Sequence, residues 1–379
     1  MKVVYFVHNV GDPAVARRVE MLRAGGAEVV VIGFRRDRQA PLCIPGVEVL
    51  ELGQSFDARF LQRSTLVLRS LAQLSRYRKV FGSADVIVAR NLEMLVLAAR
   101  ARNLAGRPVP LVYESLDIHR LLLAKGLAGR GLRALERRLM KSCDLLIVSS
   151  PAFLSRYFEP VQNVRMPHLL IENRMVRLNG ATIIDRDAGH TVLPLGPPWR
   201  IGWFGMIRCQ RSLDILTELA RAHPGLIEVV IRGRPSSSEF RDFEGQVAGA
   251  PGVRYLGVYK PGDLPSMYQD VHFTWAIDYF EAGQNSDWLL PNRLYEGSAH
   301  GAVPIALSSV ETGRWLAARN AGLRLEAISD LRGALEDMTG VEFMRLRRSV
   351  AEIPLHDLVA MQADCVELVV RLEALGRSQ

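Results

Sequence analysis

KVVYFVHNVGDPAVARRVEMLRAGGAEVVVIGF, residues 2 to 34, holds two short apolar runs, KVVYFV (2–7) and EVVVIGF (28–34), separated by a helix-length amphipathic segment. Asp12-Pro13 is a good cap followed by a good first helical position, and Gly11 is expected to let the preceding loop turn tightly. The pattern continues outward through VEVLEL (47–52), DVIVA (85–89), PLVYES (110–115) and DLLIVSS (144–150). Short continuous apolar strands alternating with helices predict a parallel sheet covered on both faces. The same grammar restarts after residue 198 with WRIGWFG, IEVVIRG, VRYLG, VHFTWA and AVPIALS, so the chain reads as an α/β protein of two Rossmann-like domains.

The divisions fall at 1–185, 193–355 and 356–379. The joint is placed in 178–198, which lacks helical periodicity and ends in Gly-Pro-Pro. His356 to Leu375 reads as one helix, apolar at Leu358, Val359, Met361, Val366, Leu368, Val369 and Leu372, expected to pack back on the first domain. Open parallel sheets bind ligands beyond the carboxyl ends of their strands, so the site is expected in a cleft between facing domains.

Composition bounds the chemistry. The 379 residues are 49% hydrophobic and 23% charged, enough for two cores and unlike a disordered chain. No run approaches the roughly 18 apolar residues of a membrane span, and the start turns polar too soon for a secretory signal, so a cytoplasmic location is expected. Cys43, Cys143, Cys209 and Cys365 stand singly, and the eight histidines show no ligand spacing, so neither disulfide nor metal is predicted. Asp185-Arg186-Asp187 is formally a DxD, but it lies in the joint. Residues 1 to 190 hold 29 Lys and Arg against 17 Asp and Glu, whereas the remainder holds 19 against 23. The first half is therefore expected to face an anionic partner. Its segments 59–79 and 120–141 carry six cations with no acid and seven with only Glu136, a pattern of membrane-surface helices.

There is no GxGxxG and no GxxxxGK[ST], so something else must hold a ligand. In WLLPNRLYEGSAHGAVPIA (288–306), Asn292, Arg293 and Glu296 open a helix, Arg293 and Glu296 sharing a face. A cation and helix N-terminal amides can cradle a diphosphate there, and a carboxylate one turn on can accept two ribose hydroxyls. In WFGMIRCQRSLDIL (203–216), Gly205 permits close backbone approach after a strand, and Arg208 and Arg211 precede a helix expected from about Ser212. In LVYESLDIHRL (111–121), Glu114, Asp117 and His119 stand where the chain leaves a strand, in reach of general-base work. His8, Asn9, Gly11 and Asp12 follow the first strand and are assigned to the acceptor side.

The N-[KR]-x-x-E-x-x-x-x-G-x-P stretch resembles that of GT-B nucleotide-sugar glycosyltransferases. LLPNRLYEG is similar to bacterial exopolysaccharide transferases of the succinoglycan type, and the resemblance runs over nearly the whole chain. It implies a metal-independent, cofactor-free enzyme taking a UDP-sugar and a lipid-linked (undecaprenyl diphosphate) saccharide, peripheral on the inner face of the cytoplasmic membrane. By the same resemblance Arg208 and Arg211 grip the diphosphate, and the loops around Arg232 and Tyr259 hold the base. Asp117 falls where a similar glucuronosyltransferase has its base, with His119 as substitute. Retaining members carry Glu-x7-Glu ending at the helix glutamate, but Trp288 stands eight residues before Glu296. The reading therefore leans to inversion, with sugar contacts from 281–287. The alternatives are a GT-B-fold nucleotide-sugar epimerase, which needs further cleft carboxylates, and a basic nucleic-acid-binding protein. The latter lacks a helix-turn-helix, a zinc knuckle or interleaved aromatics, so nucleic acid is not expected as a partner.

Overall fold

The computed structural model describes residues 1–36, 46–54, 60–178 and 193–377. The chain divides into two units. One comprises Met1–Glu172, Val176–Gly180 and Ala360–Gln379; the other comprises Asn173–Met175 and Ala181–Val359.

The first unit is built on seven parallel strands: β1 (Lys2–Val7), β2 (Glu28–Arg35), β3 (Glu48–Gln54), β4 (Val86–Arg90), β5 (Leu111–Ser115), β6 (Leu145–Val148) and β7 (His168–Leu170). Their order is β3-β2-β1-β4-β5-β6-β7. β1 and β4 lie side by side, Val3 opposite Val86 and Phe6 opposite Ala89. The strand order reverses between them, which makes their carboxyl ends the unit's natural ligand edge. The apolar runs are continuous because both faces are covered: every residue of β4, β5 and β6 is buried. Strand β7 has no counterpart in the sequence reading, being three residues long with an exposed rim.

Short strands β8 (Met175–Val176) and β15 (Val359–Ala360) lie at two of the points where the chain changes unit. The second unit holds β9 (Trp199–Ile207), β10 (Ile227–Pro235), β11 (Val253–Tyr255), β12 (Phe273–Trp275), β13 (Val303–Leu307) and β14 (Leu323–Leu325), ordered β11-β10-β9-β12-β13-β14. All pairs are parallel, and the order reverses between β9 and β12. Its core is dominated by Trp199, Trp203, Trp275, Phe273 and Tyr295.

The expected terminal helix is interrupted. A short helix, Leu355–Leu358, gives way to β15, and the long helix runs Gln362–Arg377. It packs in the first unit's core through Cys365, Leu368, Val369 and Leu372, whereas Met361 and Val366 are 36% and 43% exposed and leave the apolar face. The extended backbone at Val359–Ala360 resets the helical phase, which explains the misplaced residues. Contact with helix Pro13–Ala24 is close: a Cβ on Gly25 would lie 2.2 Å from Cys365 O. The basic segments are broken also. Phe60–Gln73, Leu74–Tyr77 and Arg78–Gly82 form successive turns of different pitch, and Arg120–Leu123 is separated from Leu127–Met140 by Ala124–Gly126. Cys43, Arg59, the Arg63 side chain, Asp185-Arg186-Asp187 and most of the 178–198 joint lie outside the described residues.

Candidate active site

The two strands at the reversal in the second unit end in residues that meet. Beyond β9 stands Arg208, and beyond β12 stands Asp278. Arg208 Nη2 lies 3.4 Å from Asp278 Oδ2. The Asp278 side chain is only 8% exposed, and its Oδ1 accepts from Phe280 N–H (2.8 Å) and from the Ser286 hydroxyl (3.0 Å). Burial alone would raise its pKa; Arg293 and Arg208, helped by those two hydrogen bonds, hold it below the ordinary aspartate value. Arg293 feels the reverse: burial, with Arg208 adding repulsion, lowers its pKa against the pull of Asp278. Arg293 Nη2 donates to Ile277 O (2.8 Å), while its sealed Nε has no hydrogen-bond partner. The rings after Asp278 complete the cluster. Arg208 lies 4.9 Å from the Phe280 ring centroid and Arg211 lies 4.2 Å from that of Tyr279.

Local structure puts the arginines there. The helix expected from Ser212 begins earlier, at Gln210, with the Cys209 sulfur capping Ser212 N–H, so Arg211 sits in its first turn and Arg208 in the loop. Gly205 has φ +116° and no heavy atom within 4 Å of the Cβ it lacks, so its backbone is open to approach. Gly233, opposite Gly205 in register, has φ +137°; a Cβ there would lie 1.7 Å from Gly205 O.

Helix Asn292–Ala299 forms as the sequence predicts, with Asn292 exposed and Arg293 and Glu296 half-buried. Tyr268 donates to Glu296 Oε2 (3.2 Å), and burial, then Glu296 and Tyr259, push the Tyr268 phenol well up, so it stays a donor. Tyr259 packs against the same small core as Tyr268. Arg232 instead pairs with Asp263 at 3.8 Å. In 281–287, Ser286 bridges Glu281 N–H and Asp278, and Asp287 accepts from Gly283 N–H. Asp278, Tyr279 and Phe280 were not singled out from the sequence. The available signal was an acid and two aromatics directly after the VHFTWA strand.

In the first unit the three base candidates separate. Glu114 is fully buried: Oε1 accepts from Arg18 Nε (2.6 Å), and Oε2 from Arg90 Nε (2.9 Å) and the Tyr5 hydroxyl. Burial would raise its pKa, but Arg90 and Arg18 bring it down to about 2. A carboxylate sealed from solvent and held this far down by two guanidinium groups is out of an acceptor's reach and too weak a base to take its proton, which corrects its inclusion among the base candidates. Asp117 is exposed just past β5. His119 is exposed too, and its Nδ1 accepts from Leu121 N–H (3.3 Å), capping Arg120–Leu123. At the end of β1, Asn9 Oδ1 accepts from Gly11 N–H (3.2 Å), Asp12 caps Ala14 N–H (2.8 Å), and His8 Nε2 lies 3.4 Å from Asp12 Oδ2. Gly11 is not in the left-handed region, and a Cβ there would meet Asn9 Oδ1 at an ordinary 3.6 Å. The expected tight turn is present, with Asp12 N–H donating to Asn9 O (3.2 Å), but it does not draw on the conformational freedom of glycine. The left-handed residue at this edge is Asn91, with φ +69°. Among the described residues no group of three or more His, Cys, Asp or Glu side chains is arranged to hold a metal ion.

A glycosyl transferase 4-like domain matches residues 12–170. The succinoglycan biosynthesis protein ExoL of Rhizobium meliloti (strain 1021) is 46% identical over 379 residues, covering 99% of this chain and 94% of that protein. Among solved structures, Anabaena Alr3699/HepE in complex with UDP is 16% identical with a TM-score of 0.66, covering 100% of both chains. WaaG, a glycosyltransferase involved in lipopolysaccharide biosynthesis, is 12% identical with a TM-score of 0.63, covering 97% of this chain and 99% of its own. At those identities the structural likeness shows the fold, which is GT-B.

Proposed function

This chain belongs to the GT-B glycosyltransferase family of succinoglycan-type exopolysaccharide synthesis, and from that premise we propose that it moves a sugar from a UDP-sugar to a lipid-linked saccharide. The observation that carries the donor half is the gathering of Arg208, Arg211 and Arg293 at the reversal point of the second unit's sheet. As the bond between the anomeric carbon and the donor's phosphate oxygen breaks, its electron pair passes to the diphosphate. Fixed guanidinium groups stabilise that charge more in the transition state than in the ground state. Glu296, steadied by Tyr268, is assigned the ribose hydroxyls; Gly205 offers open backbone to the phosphates. The UDP carried by the HepE structure supports uracil as the first base to test.

The first unit is assigned the acceptor, with Asp117 taking the proton from the attacking hydroxyl and inversion at the anomeric carbon. Exposure and freedom from the Glu114 network favour Asp117. His119 becomes the substitute with one ring nitrogen already used as a cap. The basic segments suit a docked, membrane-peripheral enzyme: on helix Leu127–Met140, Leu127 is 83% exposed beside Arg130, while Arg133 and Arg137 are tied to backbone carbonyls. No helix of the described residues is long and apolar enough to cross a membrane. The test is a panel of nucleotide sugars assayed for nucleotide release with a lipid-linked acceptor extract. Release with a UDP-sugar that depends on the acceptor is expected; release with no nucleotide sugar would defeat the proposal.

A further inference from the structure

Three consecutive residues, Asp278, Tyr279 and Phe280, address all three arginines. Asp278 and Phe280 both serve Arg208, and Tyr279 between them serves Arg211, in a segment past β12 that Phe280 N–H closes onto the Asp278 carboxylate. Asp278 also acts electrostatically on Arg293. Two features set this carboxylate apart from an ordinary ion pair. Its orientation is fixed by its own loop, through Phe280 N–H and Ser286, so it does not depend on the arginines to stay in place. Its contact with Arg208 is 3.4 Å, longer than the roughly 2.7–2.9 Å of a tight charge-assisted bond, and the Arg208 side chain is 40% exposed. Arg208 is thus parked beside a fixed anion that it can leave.

Resting on the donor reading above, we propose that Asp278-Tyr279-Phe280 is a positioning platform: Tyr279 and Phe280 support the guanidinium planes, and Asp278 is an internal counter-ion from which the donor's diphosphate draws Arg208. The three are positioning residues, since they act through the arginines. Without a counter-ion, Arg208 and Arg293 would repel each other in the empty site; with it, the site is stable while empty, and the departing nucleoside diphosphate has a competitor for Arg208. The cost is affinity, because the diphosphate must displace a carboxylate and remain near it.

The prediction differs in sign between two members of the platform. Calorimetric titration of the full chain with UDP and with UMP checks it. Asp278→Asn, which keeps an oxygen for Phe280 N–H and Ser286, is expected to melt lower yet bind UDP about fivefold more tightly, the effect of removing one like charge near 4 Å in a wet site. Tyr279→Leu is expected to bind UDP about fivefold more weakly while UMP changes less than about twofold, and Tyr279→Phe is expected to match wild type, since the Tyr279 hydroxyl has no hydrogen-bond partner. A merely structural aspartate would not tighten binding on removal. Equal or weaker UDP binding by folded Asp278→Asn, or equal losses in Tyr279→Leu and Tyr279→Phe, overturns the platform and leaves the donor reading standing. Wild-type protein that binds no nucleoside diphosphate overturns both.

Discussion

Glu114 and Asp117 stand three positions apart, but burial gives them different chemistry. Glu114 lies in β5 inside the sheet, where two guanidinium groups and a phenol hold it; Asp117 stands exposed past the strand end. Glu114→Gln leaves Arg18 and Arg90 facing each other without an anion and is expected to destabilise the first unit by about 3–5 kcal/mol in a denaturant melt. Its pKa lies well below that of an unfolded glutamate. Its contribution is therefore complete above about pH 4.5 and is lost as pH falls toward 2, so wild type and Glu114→Gln should converge in stability in strong acid. Asp117→Asn is expected to keep nucleotide affinity within about twofold while transfer falls by 10²–10⁴-fold, roughly the value of a general base. Glu296→Gln should do the opposite first, weakening donor binding, because it removes the charged acceptor of the ribose hydroxyls.

At the scale of elements, one backbone approach and one imidazole set what can change. Helix Gln362–Arg377 reaches helix Pro13–Ala24 only because Gly25 has no side chain, and Gln362 adds a hydrogen bond to Ala24 O (2.5 Å). Gly25→Ala should lift the terminal helix, read as faster amide exchange over 362–377 at a cost of about 1–3 kcal/mol. In the second unit, buried His272 accepts at Nδ1 from Arg200 N–H (3.0 Å), so its Nε2 carries the proton that is donated to Pro194 O (2.9 Å). One neutral tautomer therefore joins the entry segment to β9 and β12. Burial lowers its pKa, with Arg200 and Arg347 adding and Pro194 O and Glu228 opposing. The neutral ring's contribution is present above the unfolded histidine value of about 6.5 and declines as pH falls below it. The second unit should lose stability from about pH 6.5 downward, and His272→Asn should flatten that slope.

For the whole molecule, charge is divided as sharply as structure: the basic excess belongs to residues 1 to 190. If the first unit docks on lipid headgroups, cosedimentation with anionic vesicles should fall steeply with salt, and reversing the exposed Arg130, Arg138 and Lys141 to Glu should abolish it while leaving UDP affinity unchanged. Binding that survives both charge reversal and high salt would assign the attachment to something else. Each unit also has its own core, so Glu114→Gln and an acid-shifted His272 should report on separate melting transitions.

Periodicity alone determined the two parallel α/β sheets, because strands covered on both faces must be apolar throughout, and this pattern is local. It also placed Asn292, Arg293 and Glu296 in one helix. It missed β7 and β14, short edge strands whose exposed positions interrupt the apolar run, and it ran the terminal helix through the extended break at Val359–Ala360. Which acids are chemically free was not legible: Glu114 and Asp117 look alike in a string, and only folding shows that Arg18, Arg90 and Tyr5, from 24 to 109 positions away, converge on one of them. The Asp278 platform was hidden for the same reason. Arg208, 70 residues away, stands just beyond β9, a strand that neighbours β12 only because the sheet order reverses between them. Sequence carries what neighbours along the chain impose; burial and long-range pairing, which set charge and reach, exist only once the strands have found their order.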